Sequence, residues 1–178
     1  MEEYVVLVDK WDNAIGIEEK YAAHIYPAKL HRAFSIFILN DSGQLLIQKR
    51  NLEKITWPGF WSNSCCSHPR PNEPIELAAQ RRLEEELGFT CEVDFLFKFQ
   101  YPAKYSQKWG ENEVDHVFLG YHNGPVHPDP REVDDFVFVD SCELLKDIQT
   151  NGHTYTPWLK KCFESFVDRV GVKGKRDE

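Results

Sequence analysis

The sequence predicts an α+β fold in a single compact domain, residues 1–178, with short strands in hairpins flanked by helices. Three observations carry that prediction. Runs of alternating or continuous apolar residues, bounded by turn-forming residues, recur along most of the chain and read as strands. Between Pro74 and Gly88 the period changes: Ile75, Ala79, Leu83 and Leu87 recur every fourth residue, the stripe of a buried helix face. A chain of 178 residues, 42% hydrophobic and 13% aromatic, can build one good core, and it shows neither an internal repeat nor a linker.

In order, Tyr4–Val8 is a short apolar strand that turns at Asp12-Asn13 into a partner over Ile15–Glu19. Ala33–Leu39, the turn signal N-D-S-G and then Gln44–Arg50 predict a second hairpin. The helix follows, with Asn72 or Glu73 as candidate caps, Pro74 at its first helical position and Gly88 as its left-handed stop. Cys91–Tyr101 carries Val93, Phe95, Phe97 and Phe99 at alternate positions, which predicts a half-buried strand. A polar loop over Pro102–Gly110 leads into a strand through Glu111–Gly120. Three prolines make Gly124–Pro130 a loop, and Phe136–Asp140 is a strand. Asp140 or Ser141 then caps a short helix to about Thr150. Pro157 opens a last helix with the stripe Leu159, Cys162, Phe163, Phe166 and Val170. Trp158 falls off that stripe and, taken alone, reads as a partly exposed packing residue. Residues from about 171 to 178 are expected to be a frayed tail.

Composition excludes several function classes. A net charge of −8 argues against nucleic acid or an anionic membrane surface as partner. A small anionic substrate stays compatible with it if the site itself is basic. No apolar run approaches the length of a membrane span. With no signal peptide expected ahead of Tyr4, the five cysteines read as reduced thiols of a cytoplasmic protein.

The chemistry gathers in a few places. On an extended Ser64–His68, Cys66 and His68 point to one face and Cys65 to the other. Cys65 is then a small buried hydrophobe, while Cys66 is either the same or a proton donor and acceptor. On a strand, Glu111, Glu113 and Asp115 share one face, where they repel each other unless a cation or a shared proton intervenes. The alternative is an exposed acidic edge. Adding His24, His31 and His68 makes a three-histidine, two-glutamate metal site the economical reading, with ligands that suit zinc, manganese or magnesium. The helix charges form the i,i+4 pairs Arg81–Glu85 and Arg82–Glu86, which on charge alone describe a solvated face.

The order of these residues points further. From Glu73 through Arg81, Leu83, Glu85, Glu86 and Gly88 to Phe89, the spacing resembles most of the Nudix box, with Ser67 in place of its leading glycine and Arg82 in place of the glutamate after arginine. The missing glutamate argues against ordinary Nudix hydrolysis. The segments Y-A-A-H, L-H-R-A-F, W-P-G-F-W-S-N-S-C-C-S-H-P, R-R-L-E-E-E-L-G, E-N-E-V and P-W, spread from Tyr4 to Phe166, resemble the type 1 isopentenyl-diphosphate Δ-isomerase family.

That resemblance implies a Nudix-type fold of mixed β-sheets flanked by helices, and an isomerase of isoprenoid biosynthesis that works through a tertiary carbocation. It implies Cys66 and Glu113 as the acid/base pair, Tyr101 bonded beside the glutamate and Trp158 facing the cation. His24, His31, His68, Glu111 and Glu113 would hold one divalent metal, Zn²⁺, Mn²⁺ or Mg²⁺. Glu86 would hold Mg²⁺ on the substrate diphosphate, with Lys20, Arg50, Lys54 and Arg82 as the anion site. The expected partner is a small-molecule diphosphate; monomer and homodimer stay open. The rival readings are a Nudix hydrolase of a nucleoside diphosphate derivative and a non-catalytic protein stabilised by zinc.

Overall fold

The computed structural model describes residues 3–171. Its strands are β1 (Tyr4–Val8), β2 (Ala14–Glu19), β3 (His31–Leu39), β4 (Leu45–Arg50), β5 (Trp61–Ser62), β6 (Cys65–Ser67), β7 (Val93–Lys104), β8 (Gly110–Tyr121) and β9 (Val133–Val139). Its helices are α1 (Lys20–Ala23), α2 (Ile75–Leu87), α3 (Ser141–Asn151) and α4 (Pro157–Val170), with a 3₁₀ turn at Gly152–Thr154. The expected frayed tail lies outside the described residues beyond Gly171, whose left-handed backbone closes α4.

β3 is the hub of a mixed sheet. It runs parallel to β8 along its whole length, from His31 beside Glu113 to Leu39 beside Tyr121. Antiparallel to it lie β6 over Phe34–Ile36, β4 at Ile38 and Leu39, and β1 at the single pair Leu7–His31. β7 covers the far edge of β8. A strand enclosed in this way is buried on both faces, which is why Ala33–Leu39 reads as a nearly unbroken apolar run. The predicted second hairpin exists only near its turn: after two pairs β4 leaves β3 and pairs with β9 and β5.

Side-chain alternation along β3 supplies two packed layers. Phe34, Ile36 and Ile38 meet Ala79, Leu83 and Leu87 of α2. Phe37 and Leu39 face the other way, into a cluster built with α3 and α4 in which Phe37 stacks on Phe166 at 4.1 Å between centroids. Gly88 ends α2 at φ +73°, and a Cβ there would lie 2.6 Å from the His127 carbonyl oxygen, so both conformation and contact call for glycine.

Four local expectations are corrected. Neither Asn72 nor Glu73 caps α2: Pro74 is the capping residue, without a side-chain bond, and Glu73 is taken by Arg81. The loop at Pro102–Gly110 is shorter, because β7 continues to Lys104. Pro102 is tolerated there since, among the described residues, β7 pairs only with β8 and its outer edge needs no donor. A bulge between Phe95 and Phe97 breaks the alternation, so Phe95 sits opposite Phe118 while Phe97 and Phe99 join the α4 layer. Trp158 is 3% exposed rather than partly exposed.

Candidate functional site

The parallel register of β3 and β8 and the antiparallel register of β7 and β8 place Tyr101, Glu113 and His31 in one row across three strands. Side chains in such a row share a face. β6 adds Cys66 beside Ser35, two positions further along the same face of β3, and Cys65 drops through to the α2 layer. Glu111 and Glu113 are 7% and 6% exposed, in an interior strand, so they are not an acidic edge. Every predicted site residue except His31, which is wholly buried, lines one cavity of about 800 Å³.

His24, His31, His68 and Glu113 each offer an atom to a group whose members all lie within 4.8 Å of one another. His31 Nε2 is 3.2 Å from His68 Nε2, and Glu113 Oε1 is 2.9 Å from His68 and 3.3 Å from His31. The Nδ1 atoms of His24 and His31 face the carbonyls of Lys20 and Lys29 at 2.6 and 2.8 Å. A carbonyl only accepts, so each Nδ1 carries the hydrogen and each Nε2 turns its lone pair toward the group. Burial lowers His24 to about 4 and His68 to about 3, which keeps both rings neutral. Lone pairs that converge in this way need an extra proton or a cation between them, and the set fits a divalent metal ion. Glu111 stands beside this group, accepting from Thr56 Oγ1 at 3.2 Å.

Tyr101 links the two glutamates, its hydroxyl lying 2.7 Å from Glu111 Oε2 and 2.5 Å from Glu113 Oε2. One hydroxyl proton serves one carboxylate. Burial, reinforced by the charge of Glu113, pushes the Glu111 carboxyl up, so Glu113 is the stronger acceptor for the phenol proton. Burial would raise Glu113 as well, but an extra proton shared with His31 and His68 makes hydrogen bonds that outweigh it and hold that carboxylate well below its usual range. Burial pushes Cys66 up to about 12, with the Arg50 guanidinium pulling the other way, so the residue is a thiol at neutral pH.

The other wall carries the four basic side chains, three of them paired with carboxylates. Glu86, on α2, is only 4% exposed; Arg82 donates to one of its oxygens at 2.5 Å and Gln48 to the other at 3.0 Å. The predicted i,i+4 pair therefore exists, but it is buried in the cavity wall rather than solvated. Lys54 pairs with Glu132, which also meets Arg82, and Lys20 pairs with Glu3. Arg50 donates to the carbonyls of Thr56 and Trp57 at 2.9 and 3.2 Å, which brings its guanidinium 3.8 Å from Cys66 Sγ. Sequence reasoning missed Gln48, Thr56, Ser62, Asn63 and Glu132. Gln48 had a signal, a polar residue closing the apolar run of β4; Glu132 had none.

A family model of the NUDIX domain matches residues 29–159. Isopentenyl-diphosphate Delta-isomerase 1 of Aromatoleum aromaticum is 47% identical over 170 residues, 96% of this chain and 93% of that one. The Bos taurus protein of the same name is 38% identical over 190 residues, covering 94% of this chain and 83% of that one. Among solved structures, a Deinococcus radiodurans protein superposes with a TM-score of 0.75 at 19% identity, over 92% of this chain and 98% of that one. The MutT protein of Methanosarcina mazei gives 0.66 at 22% identity, over 81% and 96%. Likeness at that level of identity speaks for the fold alone.

Proposed function

Because the chain belongs to the NUDIX family and, within it, to the isopentenyl-diphosphate Δ-isomerases, we propose that it interconverts isopentenyl diphosphate and dimethylallyl diphosphate. The observation that carries this reading is one cavity in which the Cys66 thiol, the Glu113 carboxyl and a buried indole meet four basic side chains. At about 800 Å³ the cavity has ample room for a five-carbon diphosphate.

The reaction needs a proton added to the terminal methylene carbon and another removed from the methylene on the far side of the branched carbon. Cys66 donates the first, since it is a thiol at neutral pH. Glu113 accepts the second. Its carboxylate is a weak base, but a C–H beside a tertiary cation is acidic enough for one. Tyr101 donates to Glu113 and fixes its orientation. Trp158 lines the cavity and offers a π surface, which attracts a desolvated cation by about 2 kcal/mol and adds no nucleophile. His24, His31, His68 and Glu113 would hold one divalent ion, Zn²⁺, Mn²⁺ or Mg²⁺, with Glu111 as a further oxygen donor. An ion bound there supplies the positive charge that relieves the converging lone pairs and keeps Glu113 in place.

Glu86 would hold Mg²⁺ on the diphosphate; Lys20, Lys54 and Arg82 would meet its oxygens in exchange for the carboxylates they now pair with, and Arg50 from its place on the Thr56 and Trp57 carbonyls. Those four basic side chains let an acidic chain take an anionic substrate. A hydrolase is the weaker reading, since Arg82 stands where a further box carboxylate would be and neutralises Glu86 instead. Cys65, Cys66, Cys91 and Cys162 are free thiols, in keeping with a cytoplasmic enzyme. Incubation with isopentenyl diphosphate and Mg²⁺ should yield dimethylallyl diphosphate. Release of phosphate instead, or no turnover, would overturn the assignment.

A further inference from the structure

The indole of Trp158 is held by more than packing. Its Nε1–H lies 3.0 Å from both Ser62 Oγ and Asn63 Oδ1, and these two residues are completely buried. Asn63 uses both polar atoms of its side chain. Its Oδ1 also accepts from the Ser62 hydroxyl at 3.0 Å, and its Nδ2 donates to the carbonyls of Cys65 and Ile36 at 2.7 and 3.2 Å. Thr156, next to the start of α4, donates to Ser62 Oγ at 3.2 Å. A single indole donor needs one acceptor. Here two converge on it, mounted on a segment anchored to β3 and to the backbone just before Cys66. Trp57 meets the same ring edge-on, with centroids 5.6 Å apart at 89°.

We propose that Ser62 and Asn63 are positioning residues for Trp158, turning its N–H edge into the protein so that only the apolar ring surface lines the cavity. The inference rests on the reading that this ring stabilises the carbocation. An N–H swung into the cavity would aim the positive end of its dipole at the developing charge, and it would offer a hydrogen-bond partner to the water that must be excluded. Asn63 also holds the Cys65 carbonyl, so the position of the ring and that of the strand carrying the thiol are set by one side chain.

The test combines Asn63→Ala and Ser62→Ala each with Trp158→Phe, whose side chain has no N–H to position. In the native background Asn63→Ala should lower kcat for isopentenyl diphosphate about tenfold and Ser62→Ala about threefold, in the range of a lost hydrogen bond. KM should stay within about twofold, since the cation exists only after protonation. In the Trp158→Phe background the Ser62→Ala loss should vanish, and the Asn63→Ala loss should shrink to the part carried by its bond to the Cys65 carbonyl. Losses that persist there unchanged would overturn the proposal and assign the pair to the backbone at Cys65 instead. Should Asn63→Ala fail to fold, as judged by its thermal transition, the milder Ser62→Ala cycle decides by the same criterion. Equal turnover of Trp158→Phe and Trp158→Leu would instead withdraw the premise that the ring meets the cation, which is a separate failure.

Discussion

Trp158→Leu and Trp158→Phe form the pair of variants that best separates a catalytic ring from a packing one. Both remove the indole N–H, and in both Ser62 and Asn63 can still bond to each other at 3.0 Å. Both also shrink a side chain that is 3% exposed, so each should lower stability by a few kcal/mol, of the order seen for large-to-small changes in a core. What differs is the π face. A desolvated cation over a ring gains about 2 kcal/mol, which phenylalanine keeps in large part and leucine loses, so the leucine variant should turn over up to about thirtyfold more slowly. Substrate affinity should change little. The Arg50 guanidinium lies 5.2 Å from the Trp158 centroid, but its bonds to the Thr56 and Trp57 carbonyls hold it without the ring. Steady-state kinetics well below both thermal transitions gives kcat and KM for each variant. Equal kcat for the two would refute the argument.

The neighbouring cysteines should behave oppositely: Cys66→Ala should abolish isomerisation at an unchanged thermal transition, and Cys65→Ala should keep turnover while losing about 1 kcal/mol of stability from the α2 layer, both read by kinetics and denaturant titration. His68→Ala should reduce the divalent metal found by elemental analysis of the purified protein, and undiminished content would remove that residue from the ligand set. Asp12, in the turn between β1 and β2, contacts Arg32 at 2.7 Å, His116 at 2.9 Å and Lys98 at 3.0 Å. Burial would raise this carboxyl, but hydrogen bonds from Arg32 and Lys98 outweigh it and lower it. Its contribution is therefore complete above the unfolded value, near pH 4, and fades as pH falls through the folded value. Asp12→Asn, which suits the left-handed backbone at φ +73°, should cost about 1–3 kcal/mol at pH 7. That deficit should shrink below pH ~4 in urea titrations, and a deficit constant into acid would contradict the argument.

Local periodicity carried much of the answer. It separated Cys65 from Cys66, put Glu111, Glu113 and Asp115 on one side of a strand, drew the α2 stripe and ended that helix at Gly88. Motif order, read as a resemblance, supplied the chemistry. Periodicity says which side a residue takes, and nothing about what will cover that side. Hence Glu86 looked solvated and is buried, Trp158 looked half-exposed and is enclosed, and Pro102 looked like loop and lies in an edge strand. Ser62 and Asn63 sat in plain view within the motif, yet their partner lies 96 and 95 positions away. The decisive pairing is parallel, β3 with β8, and it puts His31 beside Glu113. Parallel partners are joined by long crossovers, so their register follows from which pairing buries the most surface across the whole chain. No local window contains that information, and only the tertiary structure could decide it.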